Sequence, residues 1–463
     1  MPFVRCLLNL LCCLCLCLPF LANAQSAVPP PLDARLNSAA DFSLLREPAL
    51  EVVEDLPPVT TIDLTATPDD LWQRVRDGFA MPNLDGPLVA DRQAWYLNRP
   101  EMLKQLLERS RRYLYYIVDE LQKRGMPTEL ALLPLVESAY NPMAYSRARA
   151  SGIWQFIPST GKNYRLEQTW WRDQRRDIIA STSAALDYLQ TIYEMNGDWH
   201  LALASYNWGE NAVARAVAKN QAKGLPTDYM SLGMPLETRY YVPKLQALKN
   251  IIAHPELFGI RLDPIPNQAY FGTVKKTADM DVSLAAKLAE TPLAEFMALN
   301  PSYNRPVMLV GKGGPLLLPS DKVQVFLANL QTHEQLEKPL STWHTYTLKK
   351  GDKFDAVAAR FGISATGLRQ INSITRRTRV AIGTTLLVPR KGAHTGANLQ
   401  AVNLPLMPPD LPNAARAPKG KKKSAGKPQK AKQPAPAQKG KKPAPAKKRA
   451  HPAAKKHPPP KKR

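Results

Sequence analysis

From about residue 68, apolar residues recur at three- and four-residue spacing: Leu71-Trp72, Val75 and Phe79, then Leu103, Leu106-Leu107, Tyr113-Leu114 and Ile117 through Leu121. That period puts each set on one side of an α-helix. Gly125-Met126-Pro127-Thr128 interrupts it, and Thr128 with Glu129 supplies a fresh helix start. Further helices are predicted over 177–195, 199–219 and 237–253. No alternating strand pattern intervenes between 68 and 253, so this half is predicted to be mostly α.

The period then changes. Residues 344–348 alternate like a strand, Lys350-Gly351-Asp352 makes a turn, 354–361 and 366–372 read as short helices, and 385–388 as a closing strand. A fainter copy of this strand–helix–helix–strand order runs through 271–274, 284–288, 293–300 and 316–319, with Leu299-Asn300-Pro301 parallel to Ile371-Asn372-Ser373. Residues 265–320 are therefore read as a degenerate repeat of 343–390.

Charge and cysteine placement sharpen the outline. The chain of 463 residues carries a net charge of +24, but 20 of its 63 basic residues lie in 391–463, where Asp410 is the only acid. That Lys/Ala/Pro segment cannot bury a core and is predicted to be a disordered basic tail. With the rest of the chain close to charge balance, no basic folded surface points to specific nucleic acid binding. All five cysteines fall within the first 17 residues, in an apolar run preceded by Arg5 and followed by Ala22-Asn23-Ala24. The run is short for a membrane span of roughly 20 residues. It reads as a signal peptide over 1–24, the alternative being a retained anchor, with no recognisable lipobox. Export to the periplasm or cell envelope follows. The processed chain would have no cysteine, which excludes disulfides, thiolate catalysis and Cys-ligated zinc. Residues 25–67, rich in Pro, Ala, Thr and acids, read as a linker.

The chemistry concentrates in four segments. In Leu130-Ala-Leu-Leu-Pro-Leu-Val-Glu137-Ser138 a single acid closes an apolar helical run. Burial of such a carboxyl raises its pKa and suits it to be a general acid. Gly152-Ile153-Trp154-Gln155-Phe156 and Ser205-Tyr206-Asn207-Trp208-Gly209 combine amides with aromatic residues that could stack on a sugar, and Glu237-Thr238-Arg239-Tyr240-Tyr241-Val242 closes the domain. Glu210 and Glu237 are the next acids in these segments and read as surface or buttressing charges. His200 and His254 have no partners at metal-ligand spacing.

These four segments, in this order, resemble the motifs of family 1 lytic transglycosylases, the goose-lysozyme-like group that cleaves bacterial peptidoglycan. Two departures stand out: Ile153-Trp154 stands for the usual Leu-Met, and Ser205 for the usual alanine. The resemblance implies a mostly α, lysozyme-like catalytic domain of the α+β superfamily over 68–253, with its core in 125–253. It assigns Glu137 as catalytic acid/base and places Ser138, Gln155, Tyr206, Asn207 and Tyr241 in the cleft, Tyr241 rather than Tyr240 preceding the motif's Val242. Residues 343–390 resemble a LysM module, a small βααβ domain, in Tyr346-Thr347-Leu348-Lys349-Lys350-Gly351-Asp352-Lys353-Phe354. That likeness implies glycan contacts from Asp352, Lys353, Phe354 and Asn372.

Hydrolytic glycosidases usually need two carboxylates, and the motifs offer one clear candidate. The resemblance resolves this: Glu137 would protonate the bond between N-acetylmuramic acid and N-acetylglucosamine, then take the proton of the muramoyl C6 hydroxyl, leaving a 1,6-anhydro end. Neither cofactor nor metal is needed. The expected partners are peptidoglycan glycan strands, with the tail drawn to anionic envelope surfaces. A lysozyme-type hydrolase and a non-catalytic wall-binding scaffold are the rival readings. The LysM module, joined through a long intervening region, is expected to be separable from the chemistry.

Overall fold

The computed structural model describes residues 69–390 except 312–313 and 379; the signal, linker and tail segments read above lie outside the described residues. The helical half is built from α1 (Leu71–Asp77), α2 (Pro87–Leu97), α3 (Pro100–Ser110), α4 (Leu114–Lys123), α5 (Leu133–Ser138), α6 (Pro158–Asn163), α7 (Ile178–Asn196), α8 (Trp199–Trp208), α9 (Glu210–Gln221), α10 (Leu236–Arg239) and α11 (Tyr241–Ala253). Asp177 and Asp198 cap α7 and α8 through the amides of Ala180 and Leu201, and Gly197, at φ 65°, lets the chain turn between them. The helix expected over 199–219 is two helices, because Gly209 at φ 95° breaks it. The helix expected over 237–253 is likewise split, at Tyr240.

One apolar cluster runs through this half, from Leu71 and Trp72 through Ile117, Leu133 and Trp154 to Leu248 and Ile251. Inside it sits an ion pair. Glu129, 1% exposed, accepts from the amides of Ala80 and Met81 and from Lys249 Nζ at 2.9 Å. It ties the segment after α1 and the flank of α11 to the 3₁₀ turn Thr128–Leu132 that leads into α5.

Two βααβ units follow. In the first, β1 (Phe271–Val274) is followed by β2 (Met280–Asp281), α12 (Val282–Leu288), α13 (Leu293–Leu299), β3 (Val307–Met308), β4 (Leu316–Pro319) and α14 (Val323–Gln335). β1 pairs antiparallel with β4, and β2 with β3. In the second, β5 (Trp343–Thr347), α15 (Phe354–Arg360), α16 (Ala365–Ile371) and β6 (Thr385–Pro389) form a hairpin-like pair, Trp343 opposite Pro389, with two helices between the strands. An asparagine performs the same task in both. Asn300 exchanges hydrogen bonds with both backbone groups of Leu317, at 2.7 and 3.0 Å, and Asn372 does so with Leu387, at 2.9 and 2.7 Å.

The modules are packed together along a shared seam. Trp170 and Trp171 of the helical half share an apolar cluster with Val307 of the first unit and Trp343 and Leu387 of the second. The Asp173 amide donates to Ser302 O and the Asn304 amide to Trp171 O, both at 2.8 Å. Asp281 accepts from Ser341 and Thr342, fixing the strand entry to the second unit.

Candidate active site

Glu137 is the penultimate residue of α5. The residues before it, Leu130 to Leu133, have no exposed surface, so the helix is driven into the core and its end is brought to the cleft. It stops abruptly: Ala139 (φ 55°) and Tyr140 (φ 53°) are both left-handed, a conformation that disfavours residues with a Cβ. Tyr140 holds that turn in place. Its hydroxyl donates to Ala131 O at 2.5 Å, its amide to Pro134 O at 3.0 Å, and its ring stacks on Tyr113.

The residue is half-buried, yet loss of hydration at its carboxyl outweighs every other influence and raises its pKa from an ordinary 4.5 to about 7. The Tyr241 hydroxyl donates to Oε1 and, with the Lys244 charge, acts the other way; the Glu237 charge acts with burial. Near neutral pH both the acid and the carboxylate are populated, as a group that must give and then recover a proton requires.

Two tyrosines enclose the acid. Tyr241, the first residue of α11, is 2% exposed. Tyr206 of α8 donates its hydroxyl to Trp154 O at 2.8 Å. Both phenols are pushed well above 10 by burial and then by the nearby Glu137 charge, so they remain hydrogen-bond donors throughout the working pH range. Ser138 donates to Ile153 O at 2.9 Å. Adjacent carbonyls of the 152–156 loop are thus held by Ser138 and Tyr206. Gly152 is required there: at φ 84° it approaches Arg175 so closely that a Cβ would lie 2.0 Å from the Arg175 carbonyl oxygen. Gln155 is left-handed as well (φ 51°) and turns its amide nitrogen back onto Gly152 O at 2.7 Å. Asn207 is half-buried, its Oδ1 accepting from Thr238 at 2.8 Å.

Trp154 does not face a ligand. It has no exposed surface, and its Nε1 donates to Thr182 Oγ1 at 3.0 Å, so it is a core residue and not a stacking platform. Glu210 accepts from Tyr188 at 2.9 Å, and Glu237 is exposed. His200 is buried against Pro82 O, and His254 is exposed beside Glu256.

Sequence reasoning missed the supports behind the cleft. Asp173 and Arg175, each about 1% exposed or less, form a bidentate ion pair, and Arg175 also donates to the carbonyls of Arg149 and Phe156 at either end of the Gln155 loop. These residues stand close to Trp170, Trp171 and Arg176 in the chain, but no local pattern gives the direction of the guanidinium. Tyr229, in the connection between α9 and α10, donates to Thr238 O at 2.5 Å and accepts from the Val242 amide. It lies in a mixed stretch between helices and carries no local signal.

In the second βααβ unit, Asn372 must be removed from the glycan-contacting set: it is fully buried and its amide is spent on Leu368 and Leu387. Asp352 shapes its own turn, accepting from the Lys349 amide and then Tyr346, which hold its pKa below the usual carboxylate range. Lys353 is exposed, and Phe354 is half-buried under the Arg369 guanidinium at 4.3 Å.

Comparison with known proteins accords with this architecture. Residues 115–227 match the transglycosylase SLT domain, 270–335 the LysM-like domain of lytic transglycosylase MltD, and 346–389 the LysM domain. The membrane-bound lytic murein transglycosylase D of Escherichia coli is 34% identical over 346 residues, which cover 72% of this chain and 75% of that protein. The chain belongs to the lytic murein transglycosylase D family. Membrane-bound lytic murein transglycosylase C of Glaesserella parasuis is 28% identical over 134 residues, 26% of this chain and 37% of that relative. The stretch matched as SLT domain contains Glu137, Gln155 and Tyr206, and Tyr241 lies beyond it. The transglycosylase D family resemblance thus spans both halves, and the fold is lysozyme-like and mostly α with small LysM units.

Proposed function

We propose that Glu137 is the single acid and base of this peptidoglycan lytic transglycosylase. The observation that carries the assignment is one carboxyl, raised to about 7 by burial, in direct hydrogen bond to Tyr241. The enzyme cleaves the β-1,4 bond between N-acetylmuramic acid and N-acetylglucosamine. Protonated Glu137 delivers its proton to the glycosidic oxygen as the C1–O bond breaks. The Tyr206 and Tyr241 dipoles face the oxocarbenium-like charge and the carboxylate left behind. Glu137 then accepts the C6 hydroxyl proton while that oxygen closes on C1, and no water is consumed. Ser138 and Gln155 serve by holding the 152–156 loop, and Asn207 by meeting the sugar.

The LysM unit binds peptidoglycan, and we assign its contact to the exposed Lys353 edge beside Phe354. The basic segment 391–463 adds a diffuse attraction to anionic envelope groups that 0.5 M salt, with a Debye length of only a few Å, abolishes. Among the described residues no helix is long and apolar enough to cross a membrane. Export to the envelope is inferred from the N-terminal apolar run and from the membrane-bound relative.

The test is Glu137→Gln against Glu210→Gln on short soluble glycans. Glu137→Gln keeps the shape but cannot move a proton, and is expected to lose at least about 10²–10⁴-fold in turnover while retaining glycan binding. Glu210→Gln is expected to retain turnover. Equal losses in the two variants would overturn the assignment.

A further inference from the structure

An asparagine side chain offers one acceptor face and one donor face, and which of them a cleft presents must be decided by something behind it. Asn207 follows Tyr206 in α8 and is half-buried. The Thr238 hydroxyl, on a residue 2% exposed, donates to Asn207 Oδ1 at 2.8 Å. That contact engages Oδ1 and leaves the two N–H groups of Nδ2 as the side chain's remaining hydrogen-bonding groups.

Thr238 is itself fixed. The Tyr229 hydroxyl, 3% exposed as a residue, donates to the Thr238 carbonyl at 2.5 Å and accepts from the Val242 amide at 3.3 Å. One phenol oxygen therefore bridges the break between α10 and α11, with Thr238 on one side and Tyr241 close by on the other. The amide of Asn207 and the phenol on Glu137 are set by the same junction. Nothing in the fold requires a threonine hydroxyl at this position for secondary structure: α10 is a single turn capped by backbone contacts.

We propose that Thr238 is a positioning residue for the transglycosylase reaction, orienting Asn207 so that it donates hydrogen bonds to an acceptor oxygen of the bound glycan. This rests on the transglycosylase reading above and adds to it a residue that acts through another. Without the hydroxyl, the amide is free to turn over and present its carbonyl to the sugar's oxygens, which repel it. The loss falls on glycan binding more than on proton transfer, because Glu137 and Tyr241 keep their contact.

The experiment is a double-mutant cycle in the full chain, with KM and kcat measured on a soluble N-acetylated glycan and binding measured separately in Glu137→Gln. Thr238→Val is expected to raise KM about 3–10-fold, the size of one neutral hydrogen bond, with kcat changed less than twofold. Thr238→Ser, which keeps the hydroxyl, is expected to restore KM to within twofold of the parent. In an Asn207→Ala background Thr238→Val should add less than a further twofold, because the group it positions is gone. An additive cycle, an unchanged KM in Thr238→Val, or a Thr238→Ser variant as impaired as the valine would each overturn the proposal. If Thr238→Val is too unstable to assay, Thr238→Ala, which also removes the hydroxyl, takes its place in the same cycle with the same expected outcomes. An inactive parent enzyme would instead overturn the transglycosylase reading itself.

Discussion

A carboxyl that is costly to ionise leaves a signature in stability as well as in rate. The Glu137 pKa in the folded protein, about 7, lies above its ordinary 4.5. The folded state therefore binds more protons than the unfolded chain across that window, and stability falls as pH rises through it. At 1.36 kcal/mol per pH unit, ionising Glu137 at alkaline pH costs the fold about 3 kcal/mol, an upper bound because the residue keeps some solvent access. Below pH 4.5 both states are protonated and the cost vanishes. Glu137→Gln replaces the acid with a neutral side chain of the same shape that can still meet the Tyr241 hydroxyl. Urea unfolding followed by tryptophan fluorescence should show the variant about 2–3 kcal/mol more stable than the parent at pH 8.5. At pH 4 the two should agree within about 0.5 kcal/mol, the usual scatter for a change that makes no new contact. Equal stability at both pH values would mean that the carboxyl is well hydrated. A variant less stable at pH 8.5 would mean that the carboxylate, not the acid, is the form the site is built to hold.

Other substitutions probe the supports. Tyr241→Phe removes the donor that favours the carboxylate, so the fall of kcat/KM with rising pH should move to higher pH, and activity should drop about 10²-fold; a pH profile reads both. Gly152→Ala places a Cβ against the Arg175 carbonyl in a left-handed conformation and should cost about 3 kcal/mol in thermal unfolding. Asn372→Ala leaves the Leu387 amide and carbonyl unpaired and should cost the LysM unit about 3 kcal/mol, seen as earlier loss of peptidoglycan sedimentation on heating. Trp343→Ala empties a buried site beside Trp170 and should cost about 3–5 kcal/mol, which a free-standing LysM module would not transmit to the catalytic half.

What the sequence made legible follows from which forces are local. The run Leu130 to Val136 announces a buried helix, and so the sequence marks the acid that ends it; Tyr241 donates its hydroxyl to that acid. Helix starts near 177 and 199 are equally legible, because capping by Asp177 and Asp198 is settled within four residues. Gly209 and Tyr240 broke helices that periodicity alone would have continued. Asn372 is expected at the glycan-contacting surface, and Trp154 lies in a segment suited to sugar stacking, because amide and aromatic side chains serve surfaces and cores alike; the partners Leu387 and Thr182, 15 and 28 residues away, turn them inward. The contact of Thr238 with Asn207 spans 31 residues, and that of Lys249 with Met81 spans 168. No period or composition encodes such pairings. The seam between Trp170 and Trp343 was missed for the same reason: three segments that each look complete supply one apolar cluster.

The central claim is that one acid closes an internal ring in place of adding water. Mass spectrometry of the muropeptides released by the purified protein from peptidoglycan tests it most directly. The account predicts muramic acid ends one water lighter than hydrolysed ends and inert to borohydride, absent when Glu137→Gln replaces the parent enzyme. Products dominated by reducible muramic acid would contradict it, and would mean that a second group delivers water to C1.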